Sequence, residues 1–213
     1  GVAMGQARAD ALGVTFEPVE VTWGTAVAAL QANRIDLMYV LDATEERRQA
    51  LAFPETPLLY YSLAILARDD LEVTDWADLN QPGIRISVPQ ATSMDAFLTA
   101  NAPEADIQRF PGNPEAIAAF QAGRVDAVTL FHPPLIAARQ RLGRGQIIVP
   151  HPVESRPSSV GLRQEADTAF LDWVNQQIGE YYQSGQTQTW YEEFLTEFGL
   201  DPASVPPIMR ERL

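Results

Sequence analysis

Apolar and polar residues follow two periods along this chain, one typical of helices and one typical of strands. Helical spacing predicts helices over residues 2–12, 25–32, 44–50, 93–100, 114–122, 134–141, 166–184 and 189–198. Short apolar runs predict strands over residues 15–21, 35–41, 63–67, 84–88, 106–110, 125–131, 146–149 and 159–162. Because helices and strands take turns, we predict an α/β fold of mostly parallel sheets covered by helices.

A nine-residue pattern occurs twice in the chain. Residues 28–36 (AALQANRID) are matched by residues 118–126 (AAFQAGRVD). Each copy ends an amphipathic helix and leads into an apolar strand. Asn33 and Gly123 stand where a residue with left-handed backbone is expected to end the helix. Two αβ segments of one design suggest two related lobes, although helix–Gly–strand junctions are common enough to match by coincidence.

The composition narrows the class of function. The net charge is −13, and all 15 basic residues are arginine. Such an acidic surface argues against nucleic acid as a partner, because binding phosphates needs clustered positive charge. There is no cysteine, and the two histidines, His132 and His151, lack metal-ligand spacing. We therefore expect no metal and no cofactor.

A series of short motifs follows the predicted elements in a fixed order. A helix ending in Leu-Gly and a strand precede Thr22-Trp23. Arg34-Ile35-Asp36, a Thr-x-x-Arg motif at residues 44–47 and the segment FPETPLLYY at residues 53–61 come next. Ala-Asp-Leu at residues 77–79, PQATS at residues 89–93 and GRVDAV at residues 123–128 complete the series. Over residues 2–199 the chain resembles the family-3 extracellular solute-binding proteins, the receptors of polar amino-acid ABC transporters.

The resemblance implies a two-lobed periplasmic-binding-protein fold of type II, with two crossing hinge strands. Lobe 1 would comprise residues 1–66 and 159–213, and lobe 2 would comprise residues 67–158. The hinge strands would lie at residues 63–67 and 159–162. Ligand would bind in the cleft between the lobes, and closure would bury it. Family members begin with a further strand, which does not appear ahead of Val2 in this sequence.

The resemblance also implies a carboxylate-binding site. Arg47 matches the family's arginine, whose guanidinium holds a carboxylate through two parallel bonds. Thr92 and Ser93 open a helix, and a helix N-terminus can receive the other side of an anion. Each residue has a structural interpretation as well: Arg47 lies in a surface charge run, and Thr92 fits an ordinary N-cap.

Three further residues concern the rest of the ligand. Trp23 stands where the family packs an aromatic ring on the ligand, and it equally fits a core position. The family's ammonium-pairing Asp falls at Phe131, which lines the pocket or ends a buried strand. Asp42 could replace that Asp or cap the turn before Thr44. We expect either a carboxylate ligand without a primary ammonium or a bulky cation held by the rings of Trp23 and Phe131.

These implications define a transport receptor rather than an enzyme. We expect an exported, periplasmic monomer that delivers a small polar, carboxylate-bearing solute to a membrane permease. One alternative is an enzyme similar to cyclohexadienyl dehydratase, which would need an acid–base group such as Asp42 or His132. Another is the ligand-sensing domain of a receptor. We expect His132 to be a loop residue rather than a base.

Overall fold

The computed structural model describes residues 2–21 and 23–212, and only the backbone at positions 23 and 24. The helices are α1 Val2–Leu12, α2 Trp23–Gln31, α3 Glu45–Ala50, α4 Ser93–Asn101, α5 Asn113–Gln121, α6 His132–Leu142, α7 Ala169–Gln183 and α8 Gln186–Glu197. The strands are β1 Leu37–Leu41, β2 Leu51–Ala52, β3 Leu59–Ala67, β4 Arg85–Pro89, β5 Asp106–Phe110, β6 Ala127–Phe131, β7 Gln146–Ile148 and β8 Ser155–Arg163. None of the described helices is long and apolar enough to cross a membrane.

The chain divides into two units. Unit 1 comprises Gly1–Tyr60 and Pro157–Tyr191, and unit 2 comprises Tyr61–Arg156 and Glu192–Leu213. Glu192–Leu213 therefore groups with unit 2, whereas the sequence assigned this segment to lobe 1. The exact lobe boundaries stay a prediction.

Unit 1 is built on an antiparallel sheet. β1 and β2 both pair with β8 in antiparallel register. Apolar side chains pack on both faces of this sheet, in one cluster around Val160, Leu162 and Val174 and another around Leu30 and Leu41. β1 is irregular at Val40, which has a positive φ of 61° and interrupts the pairing between Tyr39 and Leu41.

Unit 2 is built on a mixed sheet. β4 pairs in parallel with β5 and β6, whereas β3 pairs antiparallel with β6 and β7. Alternate residues of β3 enter opposite clusters: Leu63 and Ile65 pack with Trp76, while Ala64 and Leu66 pack on the other face. This sheet is thus covered on both faces, as in other α/β layers.

β3 and β8 are the two crossing strands. The boundary between the units falls at Tyr60/Tyr61 in β3 and at Arg156/Pro157 in β8. Within unit 1 the N–H of Leu58, just before β3, donates to the carbonyl of Ser158 at 2.8 Å. Within unit 2 the N–H of Leu63 donates to the carbonyl of Glu154 at 2.7 Å. The expected pair of crossing strands is confirmed, and both are longer than the sequence predicted.

Two sequence predictions are wrong. The sheets are not mostly parallel, because β3 and β8 run antiparallel to their partners. The prediction failed because the order of helices and strands along the chain does not determine the direction of a strand that crosses from one unit to the other. Residues 14–21 form no strand in the described chain. Val14 and Val19 are more than half exposed there. Without a neighbouring strand to accept its backbone hydrogen bonds, an extended apolar segment does not become part of a sheet.

The two copies of the repeat end their helices in the same way. Asn33 has a φ of 58° and Gly123 a φ of 69°. The following N–H groups, those of Arg34 and Arg124, reach back to the carbonyls of Ala29 and Ala119 at 2.9 and 3.0 Å. This is the Schellman arrangement, in which a left-handed residue lets two free helix carbonyls accept hydrogen bonds. The predicted left-handed caps are confirmed.

The last residue of the repeat has different surroundings in the two copies. Asp126 is 7% exposed and accepts hydrogen bonds from the backbone N–H, Nε and Nη2 of Arg85 at 2.9, 3.1 and 2.9 Å. Arg68 adds an ion pair at 3.2 Å. Hydrogen bonding from Arg85 holds the pKa of the Asp126 carboxyl below its usual value, although burial opposes the shift. Asp36 is exposed and has no such partner among the described residues.

This difference supplies a matched pair of substitutions. We expect Asp126→Asn to lower the free energy of unfolding by about 2 kcal/mol, because charged hydrogen bonds are lost at a buried site. Asp36→Asn should change it by less than about 0.5 kcal/mol, as for other exposed positions. Urea unfolding at pH 7 measures both. Equal effects of the two substitutions would contradict the assigned role of Asp126.

Candidate functional site

Arg47 is positioned by the start of α3. The Thr44 hydroxyl accepts the backbone N–H of Arg47 at 3.3 Å, so Thr44 caps the helix as predicted. Nη1 of Arg47 donates to the backbone carbonyl of Asp42 at 3.0 Å. The residue is half-buried, and no carboxylate of the described chain pairs with it. This hydrogen bond orients the guanidinium, and most of its N–H donors are left for another acceptor.

Neighbouring Arg48 differs from Arg47. It is exposed, its Nε donates to the carbonyl of Ala43 at 3.2 Å, and its guanidinium lies 5.5 Å from the centre of the Phe53 ring. Asp42 offers its carbonyl to Arg47, while its exposed carboxylate has no partner among the described residues. The sequence allowed Asp42 to cap the turn before Thr44. The main chain of Asp42 makes this contact, because its carbonyl accepts the N–H of Thr44 at 2.9 Å.

Thr92 and Ser93 begin α4, directly beyond the carboxyl end of β4. The Thr92 hydroxyl has used its only donor: it donates to the carbonyl of Pro89 at 2.8 Å and accepts the N–H of Asp95 at 3.2 Å. Ser93 is exposed, and its backbone N–H lies in the first helical turn, where it has no acceptor within the helix. The two residues thus differ, since Thr92 shapes the cap and Ser93 presents the donor.

A carboxylate of the chain already lies near this helix start. Asp95 accepts the N–H of Ala91 at 3.1 Å and the Nε–H of Arg109 at 2.9 Å. Thr92, Asp95 and Arg109 also line a shallow depression on this face of α4. Part of the positive potential of the helix N-terminus is therefore balanced within unit 2 itself.

Phe131 ends β6 and is half-buried, opposite Leu63 of β3. The guanidinium of exposed Arg156 lies 5.2 Å from the centre of the Phe131 ring. Arg156 has no ion-pair partner among the described residues. The position at which the sequence resemblance implied an acidic residue thus carries an aromatic ring and an adjacent positive charge. The sequence pattern did not indicate Arg156, because the residue lies 25 positions further along the chain, in β8.

His132 is not the loop residue that the sequence suggested. It is the first residue of α6 and is completely buried. Its Nδ1 accepts the backbone N–H of Ser62 in β3 at 3.1 Å, and Tyr61 contacts the ring edge-on. Burial lowers the pKa of His132 to about 4. The ring is therefore neutral at pH 7 and serves as a hydrogen-bond acceptor for the crossing strand.

Trp23 begins α2, and its side chain lies outside the described residues. Among the described residues, no group of three acidic or histidine side chains is placed to hold a metal ion. The site residues predicted from the sequence thus lie on four short segments: the starts of α2 and α3 in unit 1, and the start of α4 and the end of β6 in unit 2.

Residues 1–197 match the bacterial extracellular solute-binding proteins, family 3, and the chain belongs to this family. A search of the curated proteins found no match. An ancestral cationic amino-acid solute-binding protein is a similar solved structure, with 26% identity and a TM-score of 0.72 over 90% of this chain and 83% of that one.

Two other solved structures share the fold. The putative binding component of an ABC transporter from Wolinella succinogenes, complexed with lysine, is 20% identical with a TM-score of 0.67, covering 90% of this chain and 83% of that one. An ancestral cyclohexadienyl dehydratase is 23% identical with a TM-score of 0.63, covering 92% of this chain and 82% of that one. Receptors and an enzyme thus share this scaffold, and fold alone does not separate them.

The neutral, buried His132 makes stability depend on pH. The unfolded chain takes up a proton at this residue near pH 6.5, whereas the folded chain does so only near pH 4. Stability is therefore lost as the pH falls between these values, by up to roughly 3 kcal/mol. We expect His132→Asn, whose amide oxygen can replace Nδ1 as the acceptor, to flatten this part of the profile. Urea unfolding at pH 7, 5.5 and 4.5 tests it, and parallel profiles for both proteins would contradict the assignment.

Proposed function

We propose that this protein is the substrate-binding component of an ABC transporter. It works as an exported, periplasmic monomer, takes up a small polar solute with a carboxylate, and delivers it to a membrane permease without changing it. The observation that carries this proposal is the state of Arg47, a half-buried guanidinium held by the Asp42 carbonyl and without a carboxylate partner in the described chain.

The chemistry of Arg47 suits this role. A guanidinium stays charged at every physiological pH and presents planar pairs of N–H groups to a carboxylate. Arg47 uses one donor on a main-chain carbonyl, which orients the group without neutralising it. Thr44 fixes the first turn of α3 and with it the backbone position of Arg47. The remaining donors are thus oriented before a ligand arrives, which lowers the cost of ordering them on binding.

The start of α4 at Thr92 and Ser93 supplies the second proposed part of the site. The N–H of Ser93 and the hydroxyl-capped turn lie beyond the carboxyl end of a parallel strand, where α/β proteins bind ligands. The proposed contact from this segment is the Ser93 main chain, because the Thr92 hydroxyl has both of its bonds within the unit.

The surroundings of Phe131 favour one of the two expected kinds of ligand. A bulky cation would have to meet the Phe131 ring face, where the guanidinium of Arg156 already lies 5.2 Å from the ring centre. Two cations at one ring repel each other, whereas a second anionic or hydroxyl group would be attracted. We propose a carboxylate ligand without a primary ammonium, with Trp23 packing on its apolar part and Asp42 accepting a hydroxyl or N–H from it.

His132 argues for binding rather than for a dehydratase-like reaction. A general acid or base needs contact with the substrate and a pKa near the working pH. His132 is buried, neutral and bonded to the Ser62 backbone. Asp42 is exposed, and no basic or acidic side chain of the described residues pairs with its carboxylate. Neither residue is set up for acid–base chemistry.

Adjacent arginines allow a controlled test of the binding role. A thermal-shift screen over organic acids, amino acids and betaines first selects the best ligand. We expect Arg47→Ala to weaken its binding by about 2–5 kcal/mol, as for a charge pair that loses one partner. Arg48→Ala should leave the dissociation constant unchanged, because Arg48 bonds to Ala43 and covers Phe53.

Calorimetry measures both dissociation constants, and circular dichroism confirms that both variants are folded. Equal loss of affinity in the two variants, or no loss in either, would overturn the assignment of Arg47. Incubation of the same protein with prephenate and with arogenate tests the alternative, and turnover of either would make the protein an enzyme.

A further inference from the structure

Arg8 is a charged residue on the buried face of α1. Met4, Gly5, Arg8 and Ala9 are the buried residues of this helix, and Arg8 is only 3% exposed. It lies beside the apolar cluster that includes Met4 and Tyr39. Taking a guanidinium out of water is costly unless an opposite charge or hydrogen-bond acceptors replace the water. We therefore asked which charges and hydrogen-bond acceptors surround Arg8.

Only one of the three guanidinium nitrogens of Arg8 makes a hydrogen bond to the described residues. Its Nη1 donates to the Tyr39 hydroxyl at 2.5 Å. The rings of Tyr39 and Tyr181 lie 5.2 and 5.9 Å from its central carbon. Nε and Nη2 are buried and have no hydrogen-bond partner among the described residues. These two N–H groups point in parallel from one edge of a planar guanidinium, and this pair is the fork that binds a carboxylate.

Neither tyrosine provides the missing negative charge. Burial raises the pKa of the Tyr39 hydroxyl, and the nearby Arg8 only partly offsets this, so Tyr39 is a neutral phenol. The Tyr181 hydroxyl donates to the side-chain oxygen of Gln177 at 2.8 Å. The described residues form no ion pair with Arg8. A planar oxyanion such as a carboxylate can supply both the charge and the two acceptors that this unpaired edge of Arg8 lacks.

We propose that Arg8 is the centre of a second anion site in unit 1, which takes the carboxylate of a small molecule. The carboxylate accepts from Nε and Nη2 of Arg8, while Tyr39 and Tyr181 flank the guanidinium. This site is separate from Arg47 and does not depend on the proposed transport function. Because the two N–H groups are enclosed, the anion reaches them only when the residues around Arg8 open locally.

The site has a structural connection to the segment before Arg47. Tyr39 directly precedes Val40, whose left-handed backbone is unfavourable for a β-branched residue. The pairing of β1 with β8 is interrupted at this point, and Asp42 follows two residues later. An anion at Arg8 holds Tyr39 through the shared guanidinium and so stabilises the irregular end of β1.

Acetate is the probe for this site. Thermal unfolding is followed at constant ionic strength while sodium chloride is replaced stepwise by sodium acetate. We expect the Tm of the wild-type protein to rise and then level off, because an anion that binds only the folded state stabilises it by mass action. The measurement is repeated in the Arg47→Ala background, where the proposed transport site no longer contributes, and there Arg8→Met should remove the rise. Arg141→Met, at an exposed arginine of α6, should keep it.

A third variant keeps the proposal testable if Arg8→Met does not fold. Arg8→Lys retains the charge but not the fork, so it should give less than half of the wild-type rise. The same dependence of Tm on acetate in the wild type, Arg8→Lys and Arg141→Met would overturn the proposal, as would a wild-type Tm that does not respond to acetate.

Discussion

The pairing of β3 and β8 is the constraint on which the rest of this structure depends. Each strand contributes residues to both units, and each is buried on both faces where it enters a sheet. Changes at the crossing therefore act on two cores. The neutral ring of His132 belongs to this constraint, because it accepts the N–H of Ser62 one residue before β3 pairs with β6.

Sequence reasoning worked best for features that a few neighbouring residues determine. The repeat predicted two left-handed caps, and Asn33 and Gly123 both have the backbone that only a few residue types tolerate. Local chemistry determines such features, so a single sequence reveals them. The segment at residues 15–21 has strand composition but remains without regular structure, because a strand also needs a partner, and partners are not encoded locally.

In the candidate site, too, local features were predictable from the sequence and long-range contacts were not. Thr44 and Thr92 were predictable as caps, because a hydroxyl before a helix has one common use. The contact between Phe131 and Arg156 was not, since it joins residues from β6 and β8 that only the fold brings together. The sequence does show that Arg8 follows Met4 by four residues, which puts both on one face of α1. Its unpaired edge and its contact with Tyr39 depend on the fold and could not be predicted.

The central proposal is that this family-3 protein binds a carboxylate ligand without a primary ammonium. Calorimetry on matched pairs tests it most directly: alanine against lactate, leucine against 2-hydroxyisocaproate, and glutamate against 2-hydroxyglutarate. Each pair differs only in an ammonium or a hydroxyl group beside the carboxylate. The account predicts tighter binding of the hydroxy acid in every pair that binds. Submicromolar binding of any of the three amino acids would contradict it.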